Sequence, residues 1–184
     1  LTTEALQAMD IPLAEGASLP TDEENLKFLY GNQLITNFYN SRTNESYWDT
    51  GVLPDIDLAK DPIFFIMDSD AYWNAKHGGT DENGNPVAQP KKYMYESTGL
   101  VAGTVDEYNE FSYEAYCNIE ALKNQLKKIF KNRAIPNQPA RSNGKPYKEW
   151  YYEELFVKVD KMENVEEVQQ QIIDMGYYAY SNAE

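Results

Sequence analysis

The chain has 184 residues, 42% of them apolar, which is enough for one domain of ordinary size with a real core. Its 16 Lys and Arg stand against 30 Asp and Glu, for a formal net charge of −14. Such a surface repels phosphate backbones and anionic lipid headgroups and argues against a nucleic-acid partner.

Thr3 to Met9 is weakly helical and is interrupted by Pro12, Gly16 and Pro20. Thr21 and Glu24 then have capping-box spacing, and Leu26, Leu29, Tyr30, Leu34 and Phe38 recur at helical intervals. The spacing predicts an amphipathic helix over about 22–39, with Gly31 its weak point. From Ser41 to Pro62 the periodicity is lost. "PIFFIMD" reads as a short strand buried on both faces, and "SDAYWNAKHGG" as a helical turn capped by Ser69 or Asp70. Asn83-Gly84 marks a hairpin tip. Residues 41–90 are accordingly expected to form an irregular lobe inserted between core segments 1–40 and 91–184.

"KKYMYESTGLVAGTV" is a strand candidate bent at Gly99, followed by a second, "EFSYEAYCN". Asn118 caps a helix with the stripe Ile119, Leu122, Leu126, Ile129 and Phe130, and basic residues gather at its C-terminal end. "AIPNQPARSNGKPYK" is a loop. In the last segment, Leu155, Val157 and Val159 alternate as in a strand. Asn164 and Glu167 then have capping-box spacing, Val165, Val168, Ile172 and Met175 form a helical stripe, and Gly176 occupies the left-handed stop. Tyr177 to Tyr180 returns as a strand. The expected fold is α+β: a mixed sheet with a split β-α-β, ferredoxin-like unit, in a single domain over 1–184.

Candidate chemistry is sparse. One cysteine, Cys117, rules out an internal disulfide, and its apolar surroundings suit an inert buried thiol. His77 is the only histidine, so His-based zinc sites have no second ligand of that kind. Asp68 and Asp70 beside Tyr72 and Trp73 resemble a glycosidase's paired acids with stacking rings, but Asp-x-Asp after a strand more often serves as a turn or helix cap. "DENGNP" fails calcium-loop spacing, because Pro86 falls where the glycine belongs. No phosphate-cradling glycine motif is present. Tyr47 and Trp48, in a polar loop, either mark a binding surface or anchor that loop. No cofactor, metal ligand set or catalytic set is expected. No apolar run approaches the roughly 18 residues of a membrane span, and "LTTEALQAMD" lacks a basic signal-peptide start. The sequence therefore reads as a soluble piece, a reading that leaves room for a larger parent protein.

"LFVKVDKMENVEEVQQQIIDMGYYAYS" resembles the segment that closes the extracytoplasmic domain of ABC-transporter permeases of the MacB/FtsX type. The matching residues are Val157, Val159, Asn164, Val165, Val168, Ile172, Met175, Gly176 and Tyr177. Upstream, "YMYESTGLVAGTVDEYNEFSYEAYCNIEALKNQLKKIF" is similar to the family's preceding strand pair and short helix, so the resemblance spans about 91–184. It implies a non-catalytic domain on the outer face of a bacterial cell membrane, lying between two transmembrane helices of the same permease. ATP hydrolysis would belong to a separate cytoplasmic subunit. The domain's role would be to couple helix motion to an extracellular substrate or partner protein. The alternative is a surface or secreted protein binding a carbohydrate-type ligand through Tyr47, Trp48, Tyr72 and Trp73.

Overall fold

A computed structural model of the chain describes residues 1–181. Its elements in order are α1 (Thr3–Ala8), β1 (Lys27–Tyr30), β2 (Tyr39–Asn40), β3 (Glu45–Ser46), α2 (Tyr47–Thr50), β4 (Phe64–Ile66), α3 (Ser69–His77), β5 (Gly79–Thr80), β6 (Pro86–Val87), β7 (Glu96–Thr98), β8 (Leu100–Thr104), β9 (Ala115–Tyr116), α4 (Ile119–Phe130) and α5 (Val165–Asp174). The class is mixed α+β. The chain divides into two compact units, Leu1–Tyr151 and Tyr152–Glu184, where sequence organisation suggested one.

In the first unit, β1 is the central strand of a mixed three-stranded sheet in the order β8-β1-β9, parallel to β8 and antiparallel to β9. This overturns the helix expected over 22–39. No helix follows the expected cap at Thr21, because Asp22 turns the chain: its Oδ1 accepts the amides of Glu24 and Asn25 at 3.0 and 2.9 Å. Phe28, Leu29 and Tyr30 are then buried consecutively, so both faces of β1 are covered, which a strand between two layers requires and an amphipathic helix does not allow. Gly31 follows because a Cβ there would sit 2.2 Å from the Ser112 carbonyl oxygen. Only Leu34–Asn37, a single 3₁₀ turn, keeps helical form.

Two apolar groups flank this sheet. Leu6, Ile11, Leu29, Ala102, Val105, Phe111 and Tyr116 make one, and Leu26, Phe28, Tyr30, Leu58 and Ala121 the other. Both sheet edges are occupied by chain. The amides of Ala14 and Ser18 donate to the carbonyls of Thr104 and Ala102 along β8, each at 3.0 Å. Beyond β9, the Leu1 amino group donates to the Cys117 carbonyl at 3.0 Å, and the Ile119 amide donates to the Leu1 carbonyl at 2.8 Å.

The helix after Asn118 forms as its signals require. The Asn118 Oδ1 accepts the amides of Glu120 and Ala121, and its Nδ2 donates to Thr3 Oγ1 at 3.0 Å, which ties α4 to the start of α1. Ala121, Ile129 and Phe130 are buried. The strand bent at Gly99 is divided there into β7 and β8, where a Cβ would meet the Phe28 ring at 2.3 Å. "EFSYEAYCN" contributes only the two residues of β9, the rest forming turns.

The 41–90 segment is more ordered than expected and is woven into the core. β4 pairs with β7, Leu58 is buried, and Phe65 stacks on Phe28 with ring centroids 4.1 Å apart. β4 is not buried on both faces: Phe64 and Ile66 point outward while Phe65 packs inward. The Asn83-Gly84 turn joins β5 and β6 as expected, with Asp81 accepting the amides of Asn83 and Asn85.

The second unit holds α5, whose end at Gly176 is left-handed with φ 90°. Neither 155–159 nor 177–180 pairs as a strand, so the split β-α-β element is present as its helix alone, with no sheet beneath it among the described residues. Asn164 does not cap: its Nδ2 bonds Asp160 Oδ1 at 2.8 Å, and its own backbone is helical. The tail folds back along the helix instead, with Gln169 Nε2 donating to the Ala179 carbonyl at 3.0 Å. Two strand-patterned segments of four or five residues cannot make a stable sheet without further strands. No described residue from 152 to 181 is buried.

Candidate functional surface

Trp48 stands on α2, a single helical turn held by its own polar ends. The Ser46 amide and hydroxyl both donate to Asp49 Oδ2 at 2.8 Å. These bonds hold the Asp49 carboxyl below its usual range, the backbone amide contributing most. Gly51, left-handed at φ 70°, closes the turn. Trp48 is 66% exposed, with the half-buried Tyr47 edge-on to it at 5.4 Å. Tyr113 lies within electrostatic range of Tyr47 and meets Tyr108 edge-on at 6.1 Å. Partial desolvation, then the Tyr108 neighbour, raises the Tyr113 phenol.

Trp73 stands on α3. Its helix starts because Asp68 Oδ1 accepts the Ala71 amide at 2.9 Å, so the cap is Asp68 and not Ser69 or Asp70. Asp68 Oδ2 lies 2.9 Å from Arg133 Nη1 without hydrogen-bond alignment, an ionic link from the segment after α4. The two acids thus have separate surroundings. Asp68 is buried and occupied by its cap and its ion pair, while Asp70 is exposed in the first turn. Trp73 is 62% exposed and lies against His77 one turn on, centroids 4.1 Å apart. On the neighbouring side, Tyr72 meets Tyr95 edge-on at 5.7 Å and carries Lys76 Nζ 4.8 Å over its ring. Its hydroxyl contact is the main cause of a raised Lys76 pKa.

Of the four residues singled out from sequence, Tyr47 and Trp48 therefore pair with each other on α2, whereas Tyr72 and Trp73 on α3 pair with Tyr95 and His77. Tyr39, in β2, lies across the hairpin from Ser46, directly before Tyr47. Tyr39, Tyr108 and Tyr113 were not singled out. Tyr39 and Tyr113 lay in segments read as helix and strand, and Tyr108 between two strand candidates. A separate cleft of about 390 Å³ is lined by Asn32, Ile35, Ile56, Asp57, Leu58 and Thr104. Spacing could not have found it, since it joins three distant segments. Asn32 Nδ2 donates to the Glu107 carbonyl, leaving its buried Oδ1 without a partner.

Among the described residues, no three His, Cys, Asp or Glu side chains gather closely enough to hold a metal ion, and no helix is long and apolar enough to cross a membrane. Cys117 is partly buried, which pushes its thiol pKa up and disfavours the thiolate. No known family model, curated protein or solved structure matches the chain.

Proposed function

We propose that the chain is a non-catalytic extracytoplasmic domain of a bacterial ABC-transporter permease, coupling transmembrane-helix motion to an extracellular substrate or partner protein. The observation that carries this reading is the C-terminal pattern from Val157 to Tyr177, with α5 over Val165–Asp174 and a left-handed Gly176 at its stop. The family's last segment has that arrangement of helix stripe and glycine. The described unit has no core of its own, which suits a module whose apolar side chains meet partners. ATP hydrolysis falls to a cytoplasmic subunit in this reading. The coding sequence on either side tests it. One hydrophobic stretch of roughly 20 residues is expected on each flank, together with an adjacent ATPase gene. Polar, globular sequence on both flanks would overturn it.

A second reading is favoured by the exposure of Trp48 and Trp73: a surface protein binding carbohydrate through ring faces. Calorimetric titration against a glycan panel tests it. Heat of binding that vanishes in the Trp48→Ala/Trp73→Ala double variant supports this reading, and no heat with any glycan removes it.

A further inference from the structure

We infer that the second half of α4 and the hairpin after it, around Ala140–Pro146, form a docking surface for a short acidic segment of a partner polypeptide. Charge placement supports this independently of the permease reading. Residues 121–148 hold eight of the 16 Lys and Arg and none of the 30 Asp and Glu. The rest of the chain, with eight basic against 30 acidic groups, carries a net −22. The macrodipole accounts for Lys127 and Lys128 in the last turn of α4, but it does not reach Arg141, Lys145 and Lys148. The basic groups also stand where they repel one another. Lys123, Lys127 and Lys131 follow at i, i+4, and Arg141 faces Lys145 across the hairpin, its amide donating to the Lys145 carbonyl at 2.8 Å. Lys123 and Arg133 have carboxylates, Glu120 at 2.6 Å and Asp68 at 2.9 Å. Among the described residues, no carboxylate lies within 4.0 Å of Lys127, Lys128, Lys131, Arg141, Lys145 or Lys148, and all six are exposed.

This surface is held in shape by its own contacts. Trp150 packs on Ile129, Phe130 and Ile135, with the Nζ atoms of Lys123 and Lys127 at 5.8 and 5.9 Å from its ring. Gln138 closes the base of the hairpin: its Oε1 accepts the Tyr151 amide at 3.0 Å and its Nε2 donates to the Tyr151 carbonyl at 2.9 Å. Tyr151 meets Tyr147 edge-on, and Arg141 lies 5.4 Å over the Tyr147 ring. Binding therefore has little left to order. Size and sign select the occupant. A duplex or a bilayer extends past the basic strip and meets the acidic remainder, whose repulsion acts over ~8 Å at physiological salt. Single-stranded nucleic acid needs bare ring faces on which bases stack, and Trp150, Tyr147 and Tyr93 each already carry a cation. The carboxylates of a short flexible segment can meet separate ammonium groups one at a time, which suits lysine, a point charge with rotatable donors.

The test uses the full chain and fluorescence anisotropy with two labelled probes, a short peptide of alternating Glu and Gly and a thymidine oligonucleotide of equal charge. Co-sedimentation with phosphatidylglycerol vesicles is read in parallel. The Glu peptide is expected to bind most tightly, and its affinity to fall at least ~5-fold between about 50 and about 300 mM salt. Lys127→Glu/Lys131→Glu and Arg141→Glu/Lys145→Glu change the two halves of the surface separately. Each pair is expected to weaken the peptide at least ~10-fold, with far-ultraviolet dichroism unchanged. Lys158→Glu/Lys161→Glu makes the same change in net charge outside the surface and is expected to weaken it less than ~3-fold. No binding of the Glu peptide at the lower salt overturns the inference. So does an equal loss in all three double variants, which would make net charge alone responsible, or tighter binding of the oligonucleotide or the vesicles than of the peptide.

Discussion

Leu29 in the first unit and Ile172 in the second are both aliphatic residues within regular apolar patterns. Leu29 is fully buried at the centre of a three-stranded sheet, and Ile172 remains partly exposed on a helix with no sheet under it. The boundary signals are clearer around Ile172: a strand-like alternation, a four-residue stripe and a glycine stop. Around Leu29 they conflict, with a helical spacing interrupted by Gly31. Local signals decide where an element can begin and end. Whether it acquires tertiary stability depends on how many neighbours the chain brings to it, and β1 has one on each side while 155–159 has none.

Substitutions can break this contrast or sharpen it. The largest effect is expected at Gly31. A methyl group there meets the Ser112 and Phe111 carbonyl oxygens at 2.2 and 2.5 Å, and both are backbone atoms that cannot rotate away. Gly31→Ala is expected to cost about 3 kcal/mol or more in urea unfolding followed by tryptophan fluorescence. A cost under ~1 kcal/mol would mean that β1 is not packed against 111–112 as described.

Leu29→Ala and Ile172→Ala form the direct comparison. Creating a cavity at Leu29 is expected to cost about 2–5 kcal/mol, whereas trimming Ile172 in the monomer is expected to stay within about 0.5 kcal/mol. Equal costs in denaturant titrations at low protein concentration would show that the second unit has a core after all. Asn118→Ala comes next, at about 1–2 kcal/mol. It removes the α4 cap and the bond to Thr3 together, so thermal unfolding should shift down, and amide exchange should rise at both Glu120 and the first turn of α1.

Tyr30→Phe is smaller than the Asn118 change and has the opposite sign. The Tyr30 hydroxyl is buried without a hydrogen-bond partner, and burial pushes its pKa up to about 12 from an ordinary 10.0. A raised folded-state pKa favours the protonated phenol, so its contribution is intact below pH 10 and is lost as pH rises from about 10 through about 12. Removing the orphan hydroxyl is expected to stabilise the protein by about 1 kcal/mol at neutral pH. It should also flatten this alkaline part of a stability–pH curve measured by urea titration. A destabilised variant would mean that the hydroxyl has a partner.

The fold class, α4 with its Asn118 cap, the break at Gly99, the Asn83-Gly84 turn and the left-handed Gly176 were legible, because each depends on interactions within a few residues. β1 was not. Leu26, Leu29, Tyr30, Leu34 and Phe38 fit a helix by spacing, but the deciding facts lie 73 and 87 positions away, in Val101 opposite Phe28 and Tyr116 opposite Leu29. The 155–159 strand failed for the complementary reason: alternation describes a segment ready to pair and does not provide a partner. Of the candidate surface, the side chains Tyr47, Trp48, Tyr72 and Trp73 were legible as aromatics beside turns. The place of Tyr39 beside Tyr47 depends on the β2–β3 pairing and could not be read from order along the chain.

The occupied rims of the β8-β1-β9 sheet have a consequence for how this protein fails. With Ala14 and Ser18 bonded along β8, and β1 paired on both sides, the central strand offers no ladder to an incoming chain while the first unit is folded. Strand pairing that spreads from native material is therefore expected to leave β1 until last and to begin at backbone with no ladder partner, as at 155–159 and 177–180.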